Sequence, residues 1–313
     1  MPLHPQAAAH LAATAGAPPV DTMSVEEVRR AIRGYLTLQH PAPSVTEVRH
    51  TYIVGPGSSL PLRIYRDGTP GGPVVLMLHG SGFVAADIEV SDEPARILAR
   101  DTGYTVVTLD YRKAPENPYP AALDDAWAAL EWLASGALDA PAAPHLEVEP
   151  TRIVVVGDSA GGTLAASLVQ RARERGGPTI AAHAVLYPPL RRGGYVDLDP
   201  AEVALAPAEM DWFWDRYLPP GAPDGAVPLE GRDFTCLPPA FVATAEYDVL
   251  RADGERYAEV LRAAGVPTRH VEYPGTLHGF FWMDAVLDSA RDLQRDLAAW
   301  ITDTMRELGE RAA

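Results

Sequence analysis

The residue in this chain best placed for covalent chemistry is a serine between two glycines, at the end of an apolar run. Ile153-Val154-Val155-Val156 leads into Gly157-Asp158-Ser159-Ala160-Gly161-Gly162. Four β-branched residues without polar alternation read as a strand buried on both faces. The small-residue run from Thr163 to Arg175 has helical character. A strand, a tight turn carrying serine, then a helix is the setting of a nucleophile elbow. Side chains at 157 or 161 would press on the neighbouring strand or helix across so sharp a turn. Ser159 itself is expected in a strained backbone conformation that adjacent glycines make less costly. A helix starting at Ala160 directs its N–H groups and positive dipole end at the space above Ser159, where a developing oxyanion is stabilised. The five-residue pattern also arises by chance in loops with an idle serine, so the reading depends on its company.

Serine acyl chemistry needs a base, an acid to orient the base, and oxyanion donors. In one known chain order the acid and then the base follow the serine. Of nine histidines, only His270 and His278 come late in the chain. His270 falls inside a predicted strand. His278, in Pro274-Gly275-Thr276-Leu277-His278-Gly279-Phe280, occupies a turn after the last strand and is the candidate base; the competing reading is a loop histidine capping the final helix. The acid is sought past the preceding strand, in Glu246-Tyr247-Asp248-Val249-Leu250. Asp248 is the choice, with Glu246 and Asp253 as lesser candidates; Asp253 also reads as a helix N-terminal acid. Oxyanion donors are expected from the Ala160 N–H and from the loop His79-Gly80-Ser81-Gly82. A phosphate cradle fits that loop less well, since no Gly-Lys-Ser/Thr follows. Cys236, in a proline-flanked segment, reads as a buried structural thiol.

These residues require a scaffold in which strands and helices alternate. Strands are expected at Val45–Val54, Leu62–Tyr65, Pro73–His79, Tyr104–Leu109, from Ile153, and at Ala181–Leu186, Ala240–Ala245 and Thr268–Tyr273. Helices are expected at Ser91–Thr102, Pro120–Ser135, Asp253–Ala264 and Asp284–Leu308, besides the one after Ser159. This alternation implies a mostly parallel sheet with helices on both faces. Ser24 with Glu27 reads as a capping box opening a helix that runs toward Pro41, while residues 1–20 read as a loose arm or irregular helix. The span from Tyr187 to Pro239 interrupts the rhythm, is rich in proline and glycine, and carries Trp212, Phe213, Trp214 and Tyr217. An interruption of that length reads as a lid.

Four blocks together resemble the hormone-sensitive-lipase-like branch of the α/β-hydrolases, the bacterial family IV carboxylesterases. They are His79-Gly80-Ser81-Gly82-Phe83; Asp110-Tyr111-Arg112-Lys113-Ala114-Pro115-Glu116-Asn117-Pro118-Tyr119-Pro120-Ala121; Gly157 to Gly162; and Tyr247-Asp248-Val249-Leu250 with His278-Gly279-Phe280. The resemblance covers roughly residues 45–310. It implies an α/β-hydrolase fold with an eight-stranded sheet, a triad of Ser159, Asp248 and His278, and oxyanion N–H groups at Ser81, Gly82 and Ala160. It also implies a helical cap from residues 1–44 and an insertion over 187–239, with the catalytic domain at 45–186 and 240–313, and it makes the Asp110 block a brace under the oxyanion loop. Three positions depart from the family pattern. Ser81 replaces a glycine, which leaves the backbone donor intact provided the residue does not need positive φ; its hydroxyl is then free to tune the hole or meet substrate. Val249 stands where proline is usual, and Asn117 where histidine is common.

The chain has 313 residues, enough for a large α/β domain with a cap. Its 26 basic and 42 acidic residues give a net charge of −16, which argues against nucleic acid and anionic membrane surfaces. One cysteine cannot form an internal disulfide, fitting a reducing, cytoplasmic location. No apolar run reaches membrane-span length. No metal or cofactor is called for, and a homodimer is compatible with this class. The expected activity is hydrolysis of short-acyl or aromatic esters. Phe83 and Phe280, which flank the catalytic loops, are candidate pocket walls, as are Trp212, Phe213, Trp214 and Tyr217; packing of the cap onto the body is the competing role for that aromatic patch. Acyl transfer, lactone opening or amide cleavage keep the same triad. A non-catalytic binding protein on this fold is disfavoured because such proteins usually lose a triad member.

Overall fold

The computed structural model describes residues 2–136, 146–223, 226–230 and 233–312. Eight strands form one sheet in the order β1-β2-β4-β3-β5-β6-β7-β8. They are β1 (Glu47–Val54), β2 (Ser59–Arg66), β3 (Val74–Leu78), β4 (Thr105–Leu109), β5 (Ile153–Asp158), β6 (Ile180–Leu186), β7 (Ala240–Tyr247) and β8 (Thr268–Leu277). β1 and β2 form an antiparallel hairpin, β2 runs antiparallel to β4, and every other pairing is parallel.

The uniformly apolar strands serve two cores at once. Leu76, Leu78, Ile153 and Val155 face one hydrophobic cluster, while Val75, Met77, Val154 and Val156 face another. Successive side chains point to opposite faces, so a strand covered on both sides has no polar position to spare. The first core is closed by α4 (Ala121–Ala134), α5 (Ala160–Arg175) and α7 (Arg251–Ala263). The second is closed by α3 (Asp92–Thr102) and α8 (Asp288–Ala312).

The N-terminal segment contributes α1 (Pro5–Thr14) and α2 (Val25–Ile32). The expectation of a loose or irregular arm is corrected here. Residues 5–14 form a regular helix with proline at its start, the His4 side chain accepting from Gln6 N–H, and Ala7 buried. The main chain of His4 donates to the Gly275 carbonyl at 2.9 Å, tying this arm to β8. α2 opens with the Ser24–Glu27 capping box, then tightens into a 3-10 helix over Arg33–Leu38. The segment between β6 and β7 contains α6 (Pro207–Tyr217), and includes residues 224–225 and 231–232, which lie outside the described ones. Its Glu209 accepts from the Val20 N–H at 2.8 Å. The reading of Cys236 as buried is also corrected: it is exposed, in a turn with φ of +58°, because Leu237 rather than the thiol points inward.

Candidate active site

The C-terminal ends of the parallel strands gather the candidate residues on one rim, where α/β sheets bind their ligands. Ser159 ends β5 with φ 49° and ψ −122°, outside the ordinary regions for a side-chain-bearing residue. The turn is possible only because its neighbours lack side chains. A Cβ at Gly157 would stand 2.1 Å from the Gly161 carbonyl oxygen, and one at Gly161 would stand 1.9 Å from that of Leu78. The Ser159 N–H is anchored to the Leu186 carbonyl at 2.8 Å.

His278 follows β8 directly. Its Nε2 lies 2.9 Å from the Ser159 hydroxyl oxygen, and its Nδ1 lies 2.8 Å from Oδ2 of Asp248. A carboxylate only accepts, so Nδ1 carries the proton and Nε2 is left to receive one from the serine. Asp248 follows β7, its side chain is fully buried, and its Oδ1 takes the Leu250 N–H at 2.9 Å. The two lesser acids lie elsewhere. Glu246 accepts from the Gly275 N–H at 2.7 Å. Asp253 accepts from the main chain of Leu190 and Arg191 at 2.8 and 3.1 Å and from the Arg191 side chain. His270 lies within β8, hydrogen-bonded to Thr244 at 2.9 Å.

The loop after β3 packs against the serine from the other side. A Cβ on Gly80 would approach the Ser159 Cβ to 3.1 Å and the Asp158 carboxylate to 2.5 Å. The Gly80 N–H donates to Asp158 at 3.0 Å. The N–H groups of Ser81 and Gly82 have no acceptor among the described residues, and that of Ala160, at the first helical position of α5, has no intrahelical one. The condition attached to Ser81 is not met: its φ is +97°, and Gly82 and Phe83 follow at +62° and +66°. The Ser81 hydroxyl donates to the Ala85 carbonyl within the loop. Beneath the loop, the Tyr111 hydroxyl donates to the His79 carbonyl at 2.8 Å and the Tyr111 ring stacks on His79 at 4.4 Å. Arg112 in turn pairs with the buried Asp125 at 2.7 Å.

Burial sets the charges nearby. It pushes the Asp158 carboxyl up to about 7, against the opposing pull of the Gly80 N–H. It drives His79 well below the usual imidazole range, so that ring is neutral.

The wall candidates occupy two places. Phe83 is fully buried and stacks on Tyr217 at 3.8 Å, with Trp214 at 5.3 Å, while Trp212 lies next to them in α6 under the Arg216 guanidinium. Phe280 packs between Tyr187 and Tyr273 at 5.4 and 5.2 Å. Sequence reasoning counted Phe213 among the aromatic wall candidates without singling it out, and passed over Tyr187. Phe213 lies directly on the loop after β3, where a Cβ at Gly82 would meet its ring at 2.1 Å. Tyr187 meets the His278 ring edge-on at 4.9 Å. Tyr187 stands at the end of β6, beside the elbow, and that strand-end position was the signal available for it; for Phe213 only membership in an aromatic patch marked it.

A protein family described as alpha/beta hydrolase fold matches residues 75–282. The esterase LipI of Mycobacterium tuberculosis is 37% identical over 86% of this chain and 85% of its own length. The carboxylesterase NlhH of the same species is 35% identical over 88% of each chain. A hyperthermophilic esterase from Pyrobaculum calidifontis superposes with a TM-score of 0.88 at 35% identity, covering 97% of this chain and 99% of that one.

Proposed function

Since this chain belongs to the hormone-sensitive-lipase-like branch of the α/β-hydrolases and is a carboxylic ester hydrolase, we propose that it cleaves short-acyl or aromatic esters through an acyl-enzyme on Ser159. The observation that carries this reading is the unbroken relay from the Ser159 hydroxyl through both nitrogens of His278 to Asp248, at 2.9 and 2.8 Å.

In the proposed cycle the Ser159 oxygen attacks the ester carbonyl carbon as His278 Nε2 takes the hydroxyl proton. The imidazolium is stabilised by Asp248, which also holds the ring orientation. Negative charge forming on the carbonyl oxygen meets the N–H groups of Ser81, Gly82 and Ala160; each such donor is worth about 3 kcal/mol of barrier. Collapse breaks the ester C–O bond, and His278 returns its proton to the departing alkoxide. Water then attacks the acyl carbon as it loses a proton to His278; collapse breaks the bond from that carbon to the Ser159 oxygen, His278 returns the proton to that oxygen, and the carboxylic acid leaves. The groups named suffice for every proton and charge in the cycle.

The preference for small or flat substrates is supported by Phe213, whose ring stands against Gly82, so close that a Cβ there would meet it at 2.1 Å. In this reading residues 1–44 and 187–239 form a cap over a catalytic domain at 45–186 and 240–313, supported by the Val20 to Glu209 hydrogen bond between the two segments. Among the described residues no helix is long and apolar enough to cross a membrane. A cytoplasmic setting is supported by the lone cysteine.

Ser159→Ala tests the core of the proposal. It should abolish hydrolysis of 4-nitrophenyl acetate while the melting curve stays where it was. A variant that still turns over would refute the assignment. Turnover of a C16 ester equal to that of the acetate would refute the short-acyl preference alone.

A further inference from the structure

The oxyanion loop is held in a shape its residues do not favour. Ser81, Phe83 and Ala86 have φ of +97°, +66° and +60°. Each residue with a Cβ in that region costs on the order of 1–2 kcal/mol and persists only where the surroundings over-determine it. Within the loop, Ser81 supplies part of the restraint. Its hydroxyl donates to the Ala85 carbonyl, and its own carbonyl accepts from Val84 and Ala85 at 3.3 and 3.2 Å.

A further part comes from a distant helix. Arg29, on α2, donates from Nε to the Val84 carbonyl at 2.9 Å and from Nη2 to the Ala114 carbonyl at 3.1 Å. Its fork is fixed by Glu116, which accepts at 2.9 and 2.6 Å. The Ala114 N–H donates back to the Phe83 carbonyl at 3.0 Å. One planar guanidinium therefore joins α2, the oxyanion loop and the block below it. An exposed ion pair alone contributes little stability, and it would not require the two carbonyl contacts. Lysine could not make them together, because it lacks the rigid fork.

Resting on the reading of Ser159 as nucleophile, we propose that Arg29 is a positioning residue for acyl transfer. It fixes the Val84 carbonyl, and through it the left-handed turn that presents the Ser81 and Gly82 N–H groups. It acts through the loop and touches no substrate. Because those donors matter most when charge develops, its loss falls on kcat and not on KM.

The test measures kcat, KM and melting temperature for Arg29→Ala and Arg29→Lys on 4-nitrophenyl acetate, with the rate of labelling by a serine-reactive phosphonate. Wild type labelled at Ser159, and Ser159→Ala unlabelled, secure the underlying reading independently; no labelling of Ser159 removes that reading and this proposal with it. With labelling secured, Arg29→Ala should lower kcat about 10- to 100-fold, as a misplaced catalytic group does. KM should be unchanged, and phosphonate labelling should slow in proportion. Arg29→Lys, which keeps its charge beside Glu116, should show most of the same loss. Wild-type kcat in Arg29→Ala overturns the proposal whether or not the melting temperature falls. A rise in KM at constant kcat, or full activity in Arg29→Lys, overturns it equally. Should Arg29→Ala not fold, Arg29→Lys alone decides by the same criteria.

Discussion

Asp248 is buried with one oxygen on a main-chain N–H and the other on His278, so it has no freedom to turn. Asp248→Asn would place an amide where only an acceptor fits the protonated Nδ1. The ring would flip its tautomer, and Nε2 would then carry a proton and be unable to accept the serine's. We expect kcat to fall by about four orders of magnitude with the fold intact, measured with 4-nitrophenyl acetate alongside a thermal melt. At this scale the sequence was most informative, because each candidate lies in a contiguous strand–turn or strand–turn–helix unit whose geometry is local. Ser159 needs Gly157 and Gly161 beside it, and they stand beside it in the chain. Ser81 was the exception. Its type suggested ordinary backbone, and only the fold reveals a left-handed turn tied back to Ala85.

Single elements were legible where hydrophobic pattern decides them and obscure where docking does. The strands fell within a few residues of expectation, since a doubly covered sheet demands continuous apolar runs. α1 was underestimated because its alanines carry no amphipathic signal; proline at its first position was the better clue. α6 was visible as an aromatic patch, yet nothing in its composition said that Phe213 is the member that meets Gly82 while Trp214 meets Phe83. That contact joins residues 82 and 213 and has no local signature, and the same holds for Arg29 with Val84. Phe213→Leu should keep α6 packed while opening the space over Gly82. The ratio of kcat/KM for an octanoate to that for an acetate ester should rise roughly tenfold, in line with a change of a methylene or two in an apolar slot. An unchanged ratio would show that α6 does not limit acyl length.

At the scale of the whole molecule, stability must respond to pH through carboxyls the fold has buried. Glu93, near the start of α3, is 3% exposed. Burial pushes its carboxyl up to about 9, with the neighbouring Asp284 carboxylate adding to the rise and Arg100 opposing it. Asp284 is itself held by the main chain and ring of His40, at 2.8 and 2.9 Å, and a cavity of about 440 Å³ lined also by Arg100 and Arg291 opens beside the pair. A carboxyl raised in the fold stays protonated there after the unfolded chain has released its proton. Its contribution is therefore complete below the ordinary carboxyl value near 4.5 and is lost as pH rises through 9. Across that window stability falls by up to about 1.4 kcal/mol per pH unit. Glu93→Gln removes the titration. Its melting temperature should match wild type at pH 4.5 and exceed it increasingly toward pH 9; a constant offset would contradict the expectation. The overall architecture, with its parallel sheet and rim of strand ends, was legible from alternation alone. The burial of Glu93 was not, because helix spacing does not tell which carboxyl of a first turn faces inward.

Lys113 is the single lysine of the chain. Its ammonium stands 2.9 Å from Asp110 and 3.9 Å from the centre of the Tyr111 ring, the same tyrosine that supports His79. An endoprotease that cuts only after lysine thus has one target bond, and it lies in the foundation of the oxyanion loop. The speed of that single cut becomes a clock for how often the foundation opens. Amine-directed coupling to a resin or dye must likewise choose between the chain's first amine and the foundation itself.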